Sequence, residues 1–130
     1  MIFYLEIEEV IEIHDAMIKN FGGLEGVRDK NLLLSAIENP KMAVFGHELY
    51  QSIFDKASCY LYDIVRNHPF NDGNKRTGYT STRLFLKANN VPQRFAIEDL
   101  ESITVQTAIG NVTKSELSVF LEKGTLVPQK

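Results

Sequence analysis

Cysteine is nearly absent from this sequence. Cys59 stands alone, so neither an internal disulfide nor a thiolate metal site is available and the fold must rest on packing. It falls within an apolar helical pattern and reads as a buried thiol. No run approaches the ~20 apolar residues of a membrane helix. The opening MIFYLEIEEV turns acidic early and lacks the basic start, long apolar stretch and small-residue cleavage site of an export signal. A cytoplasmic location is therefore expected, and the sequon Asn111-Val112-Thr113 reads as coincidence. Positive charge is not in excess either: a formal net charge of −3 gives no basic footprint for nucleic acid, and direct nucleic-acid binding is not expected. Repeats, low-complexity tracts and Pro-, Gly- or Ser-rich linkers are missing too. A chain of 130 residues supports one core, so a single domain over 1–130 is the expectation.

What is present is a foldable balance, 44% hydrophobic and 24% charged, that argues against disorder. Ile7, Val10, Ile11, Met17, Ile18 and Phe21 recur at helical spacing and predict a first helix that ends at Gly22-Gly23. His14 lies inside that stripe and reads as a core histidine bonded to backbone. Asp29 caps a second helix carrying Leu32, Leu33, Ala36 and Ile37, which Asn39-Pro40 stops. Residues 39 to 48 then read as a loop or short extended flap, with His47 exposed.

From about Gln51, the face Ile53, Phe54, Ala57, Leu61, Ile64 and Val65 predicts a helix that Pro69 ends near His68. NKRTGYTSTRLFLKANN predicts the next helix, with small or apolar residues on several sides and so neighbours all round it. Ile97, Leu100, Ile103 and Thr107 suggest another, although the β-branched Ile103-Thr104-Val105 leaves that segment open. Thr113 and Glu116 form a capping box for a last helix that Gly124 terminates. The fold class expected is all-α, with strand only within the flap.

At the junction of the helix that ends near His68 and the one that follows it lies HPFNDGNKRT, residues 68 to 77. A helix starting near Asn74 aims its unpaired N–H groups and positive dipole end into this loop, which makes an anion site. Lys75 and Arg76 oppose that dipole by about 0.3–1 kcal/mol each, as expected of cations placed for an external anion. Gly73 lets the backbone turn or a ligand approach, and Asn74 can bond a phosphate oxygen or cap the helix. Asp72 fits an anion-seeking loop if Mg²⁺ shared with phosphates lies between them; its alternative is to cap the helix. His68 can accept a proton near neutral pH and activate a hydroxyl. Together these residues suggest transfer of a phosphate-containing group from a nucleotide, without the GxxxxGK[ST] loop.

HPFNDGNKR resembles the signature HxFx[D/E]GN[G/K]R of Fic/Doc proteins, and Lys75 is similar to the Doc toxin branch. IHDAMIKNFGGLEGVRD, LLLSAI, YLYDIVRNHPFNDGNKRT and TRLFLKANNV extend the likeness in order over most of the chain. The resemblance implies the small Fic-type helical bundle, with the motif loop joining two central helices. It implies that His68 is the general base, that Asp72 holds Mg²⁺ and helps place the target hydroxyl, and that Asn74, Lys75 and Arg76 bind nucleotide phosphates beside Gly73. Arg66, two residues before the histidine, would be a further phosphate ligand; its alternative is a solvated charge at a helix end.

AMP-transferring Fic proteins carry glycine where Lys75 stands and a second arginine where this chain has Tyr79. In the Doc-like form the lysine fills the diphosphate space and ATP binds inverted, so the implied reaction is γ-phosphate transfer to a threonine of elongation factor Tu. Gly73, where Doc itself has alanine, is closer to the Fic pattern. Protein adenylylation and an inert nucleotide- or partner-binding module are the alternatives. Lys123 ends SVFLEK where the Fic inhibitory helix [S/T]xxxE[G/N] has glycine or asparagine, so that segment reads as an ordinary helix. Restraint is then expected from a Phd-type antitoxin that lays a C-terminal helix across the site.

Overall fold

The computed structural model describes residues 1–125; the last five residues of the expected domain, 126–130, lie outside the described residues. Among the described residues six α-helices follow in chain order: α1 (Ile7–Phe21), α2 (Lys30–Glu38), α3 (Ile53–Asn67), α4 (Asn74–Ala88), α5 (Ile97–Ala108) and α6 (Lys114–Lys123). The fold is mainly helical, as the periodicity predicts. No described helix is long and apolar enough to cross a membrane.

Side-chain caps set the first residue of α2, α3 and α6. Asp29 accepts from Leu32 N–H at the start of α2, while Ser52 with Asp55 and Thr113 with Glu116 form capping boxes for α3 and α6. Gly22 and Gly124 take positive φ and stop α1 and α6. The β-branched run does not break α5, and in it the Thr104 and Thr107 hydroxyls turn back to donate to the carbonyls of Leu100 and Ile103.

The central element is α3, packed most extensively on α4 and α6 and touching α2 and α5. Ala57, Tyr60, Leu61, Ile64 and Val65 are buried along it, against Phe85 and Leu86 of α4 and Leu117, Phe120 and Leu121 of α6. The crossing with α4 is close because of Gly78, where an added Cβ would fall 2.7 Å from Val65 Cγ2. With α1, α3 and α5 all against it, α4 has the several neighbours its sequence implies. Cys59 is buried, and burial pushes its thiol up to about 12.

The expected flap is a two-stranded antiparallel hairpin, β1 (Ala43–Val44) and β2 (His47–Glu48), turning through Phe45 and Gly46 at φ 50° and 79°. Positive φ at both central residues suits the twist of a tight hairpin. Asn39–Lys41 is a 3-10 turn rather than flap, since Pro40 ends the α-helix but its fixed φ permits one tighter turn. His47 is exposed, and so are Met42, Val44, Phe45 and Leu49.

Beneath the flap, Lys56 is wholly buried. Its ammonium donates to the carbonyls of Tyr50 (2.6 Å) and Pro40 (3.3 Å) and to Glu48 Oε1 (3.1 Å). One charge thus grips both roots of the hairpin.

Candidate active site

Pro69 has no N–H with which to continue α3, and the helix ends in His68 at φ 50°, ψ 58°. A non-glycine residue in the left-handed region costs about 1 kcal/mol or more unless its surroundings hold it there. They do so through the connection between α1 and α2. Arg28 Nε donates to His68 O (2.6 Å) and its Nη2 to Asn67 O (2.7 Å). The N–H groups of Arg28 and Asp29 both reach Pro69 O, Asn71 N–H bonds Gly26 O, and Val27 forms an isolated bridge with Phe70. Residues 69 to 71 are therefore backbone-paired with residues 26 to 29.

From inside, His14 supports the same loop. It is buried, its Nε2 lies 2.8 Å from Asp72 O, and its ring stacks on Phe70 at 3.9 Å between centroids. The backbone-bonded core histidine read from the sequence is what the structure contains. Asn74 is buried as well: its Oδ1 accepts from Phe70 N–H and its Nδ2 donates to Phe70 O, both at 3.0 Å. Its side chain is thus occupied in closing the loop.

The helix that follows has Gly73 at its N-cap, φ 74°, with no side chain bonded to the first turn. Among the described residues, the N–H groups of Asn74, Lys75 and Arg76 have no acceptor, and they open with the dipole into a cleft of about 320 Å³. Asp72, Gly73, Asn74, Lys75 and Arg76 line one side with Tyr79, and Glu101, Thr104 and Val105 of α5 line the other. Lys75 and Arg76 are exposed, and the Arg76 guanidinium carbon sits 4.2 Å from the centroid of the Phe21 ring.

Asp72 does not cap α4. Its Oδ2 accepts from Leu24 N–H (3.1 Å) and its Oδ1 from Gly73 N–H (2.9 Å). These two bonds, Leu24's first, hold its carboxyl below the ordinary aspartate value of 3.8, with the nearby Lys75 charge adding to them. An ionised carboxylate therefore stands at the rim of an anion-binding cleft. Among the described residues no three His, Cys, Asp or Glu side chains gather into a metal cage. A lone ionised carboxylate beside a phosphate cradle fits Mg²⁺ that takes its remaining ligands from phosphates and water.

The structure thus brings five of the seven residues singled out from sequence into one cleft. His68 is exposed at the end of α3 and is not in the cleft lining. Arg66 is also outside it, with Nη1 donating to Ala108 O at the end of α5 (2.9 Å). Sequence reasoning missed Arg28, Leu24 and Glu101. Leu24 acts through its backbone, the acceptors of Arg28 lie 39 and 40 residues away, and Glu101 reaches the site only because α5 lines the cleft.

A family model described as "Fic/DOC family" matches residues 4–86, which includes the whole loop. The chain belongs to the Fic/Doc family. It is 37% identical over 116 residues to the protein kinase doc of Escherichia phage P1, a match covering 89% of this chain and 90% of that protein. It is 39% identical over 88 residues to the toxin Doc of Mycolicibacterium smegmatis, covering 68% of this chain and 65% of that protein. Both relatives support the Doc branch to which Lys75 points.

Proposed function

We propose that this protein is a Doc-type toxin that transfers the γ-phosphate of ATP to a threonine hydroxyl of a cytoplasmic target protein, elongation factor Tu being the expected one, and so arrests translation. The observation that carries the reading is the meeting of free α4 amides, Lys75, Arg76 and the ionised Asp72 in one cleft. Such an arrangement neutralises and positions a polyphosphate, which is most of what phosphoryl transfer requires of a protein.

In this reading His68 takes the proton from the target hydroxyl as its oxygen forms a bond to the γ-phosphorus. The bond between that phosphorus and the bridging oxygen breaks, and ADP leaves. Lys75 and Arg76 hold phosphate oxygens, Arg76 by its fork and Lys75 as a point charge. Asn74 contributes its backbone N–H, because its side chain already serves Phe70. Arg66 can join the phosphates only by leaving Ala108 O. Asp72 would hold Mg²⁺, which supplies charge neutralisation when bound.

Control by a Phd-type antitoxin, its C-terminal helix laid across the cleft, is supported by the exposed apolar edge of Phe21, Leu24 and Val105 around the site. The test is incubation with elongation factor Tu, Mg²⁺ and ATP labelled at the α or the γ position. A gain of one phosphate and retention of γ label are expected. Retained α label would replace kinase chemistry with adenylylation, and no modification, with equal growth arrest by His68→Ala, would leave a binding module.

A further inference from the structure

We propose that Arg28 is a positioning residue for His68: its guanidinium fork fixes the left-handed turn from which the imidazole projects. This rests on reading His68 as the base. A helix C-terminus leaves its last carbonyls without partners, and here Asn67, His68 and Pro69 present three in succession. All three are taken by residues 28 and 29, two by the Arg28 side chain at 2.7 and 2.6 Å and the third by backbone N–H groups.

The pairing matters because the backbone turn sets where the ring starts from. Among the described residues the His68 imidazole makes no hydrogen bond with another side chain or with backbone, and the direction of its Cα–Cβ bond follows from φ 50°, ψ 58°. That conformation is disfavoured for a residue with a Cβ. Bonding to His68 O fixes the peptide plane that follows the residue, and bonding to Asn67 O fixes the one before. The two nitrogens of one planar guanidinium therefore set both dihedrals at once, which a single point donor cannot do. The cation also lies at the negative end of the α3 dipole.

Arg28 itself is exposed and is absent from the cleft lining. The N–H groups of residues 28 and 29 hold Pro69 O without the side chain, so removal of the fork should leave both the fold and the phosphate cradle standing. The expected signature is a loss of kcat with KM for ATP unchanged.

The experiment compares wild type, Arg28→Ala, Arg28→Lys and His68→Ala in phosphate transfer, with thermal unfolding and ATP affinity measured on each. Arg28→Ala should lower kcat by about ten- to a hundredfold with ATP affinity and unfolding temperature near wild type. Arg28→Lys should recover only part of the loss, and millimolar guanidinium should restore part of the activity of the alanine variant. A wild-type kcat in either variant overturns the proposal, as does a fall in kcat that merely follows weaker ATP binding or a lower unfolding temperature. If Arg28→Ala does not fold, Arg28→Lys decides by the same criteria. Full transfer by His68→Ala would instead remove the base reading, a failure separate from that of the Arg28 assignment.

Discussion

His14 Nε2 lies 2.8 Å from the carbonyl oxygen of Asp72, and the same imidazole is stacked face to face on Phe70, two residues earlier in the loop. One buried side chain of α1 thus holds the loop by a hydrogen bond and by ring contact. His14→Phe retains an aromatic face but leaves the Asp72 carbonyl without its donor. Loss of a bond of this kind costs about 1–3 kcal/mol. Denaturant unfolding should show a destabilisation of that size, accompanied by weaker ATP binding because the carboxylate and the start of α4 both follow from this carbonyl.

Gly23→Ala should disable the cleft with little effect on the core. Gly23 sits at φ 121°, where a side chain is strained, and a Cβ there would lie 2.8 Å from Asp72 Oδ2. The carboxylate has to turn away from Leu24 N–H. Magnesium-dependent ATP binding, measured by calorimetry, should fall at least tenfold, while far-UV circular dichroism stays that of the wild type.

The pH response of the loop can be assigned by sign. Asp72 has its carboxyl lowered by the N–H groups of Leu24 and Gly73, so its anchoring is complete above the ordinary aspartate range and is lost as pH falls through the lower folded value. The Leu24 amide resonance should therefore hold its bonded position from pH 8 down to about 4 and move only below that. In Asp72→Asn the movement should vanish. A decline in turnover between pH 8 and 6 would then belong to a group other than Asp72.

Why some of this was legible in the sequence and some was not follows from distance along the chain. Helix boundaries are local: Asp29, Ser52, Thr113 and Pro69 each act on residues within a turn or so, and the elements begin and end where they imply. The anion cradle is local as well, because Gly73 to Arg76 are contiguous. His14 was legible as a core histidine because its place in the apolar stripe forces it inward. Arg28 was not, since an exposed arginine in a loop carries no periodic signal and its acceptors come 39 and 40 residues later. Asn74 was legible as the start of the helix and read as a phosphate ligand or cap, while the choice of Phe70 by its side chain depends on the tight return of the backbone. Lys56 was hidden because the carbonyls that satisfy it come from a hairpin whose path no single residue dictates.

Gly78→Ala tests the closest helix crossing. Its Cβ would meet Val65 Cγ2 at 2.7 Å, with Leu61 Cδ1 and Leu61 O at 3.6 Å, so α3 and α4 must separate or Val65 must leave its rotamer. Overpacking of this kind costs about 1–3 kcal/mol. Since the same two helices carry His68 and the phosphate cradle at their facing ends, the variant should lose stability and transfer rate together. Adding Val65→Ala, which removes the struck methyl, should recover part of both; measured unfolding free energies that simply add would show that the two residues do not meet.

Lys56→Met should free the flap without unfolding the protein. Removing the ammonium leaves the carbonyls of Tyr50 and Pro40 without that donor in a buried setting and releases Glu48, half exposed, to solvent. Leaving a buried acceptor without its donor costs about 1–3 kcal/mol, a figure that methionine partly offsets by filling most of the space. The cost should appear locally, because the helices around Ile64 and Leu117 make no use of the ammonium. Hydrogen exchange should therefore quicken over residues 42 to 49, while amides of α3 and α4 keep their protection. If the hairpin presents its exposed Val44 and Phe45 to the target protein, KM for that protein should rise in the variant and KM for ATP should not, which separates a flap that guides the target from one that only covers the core.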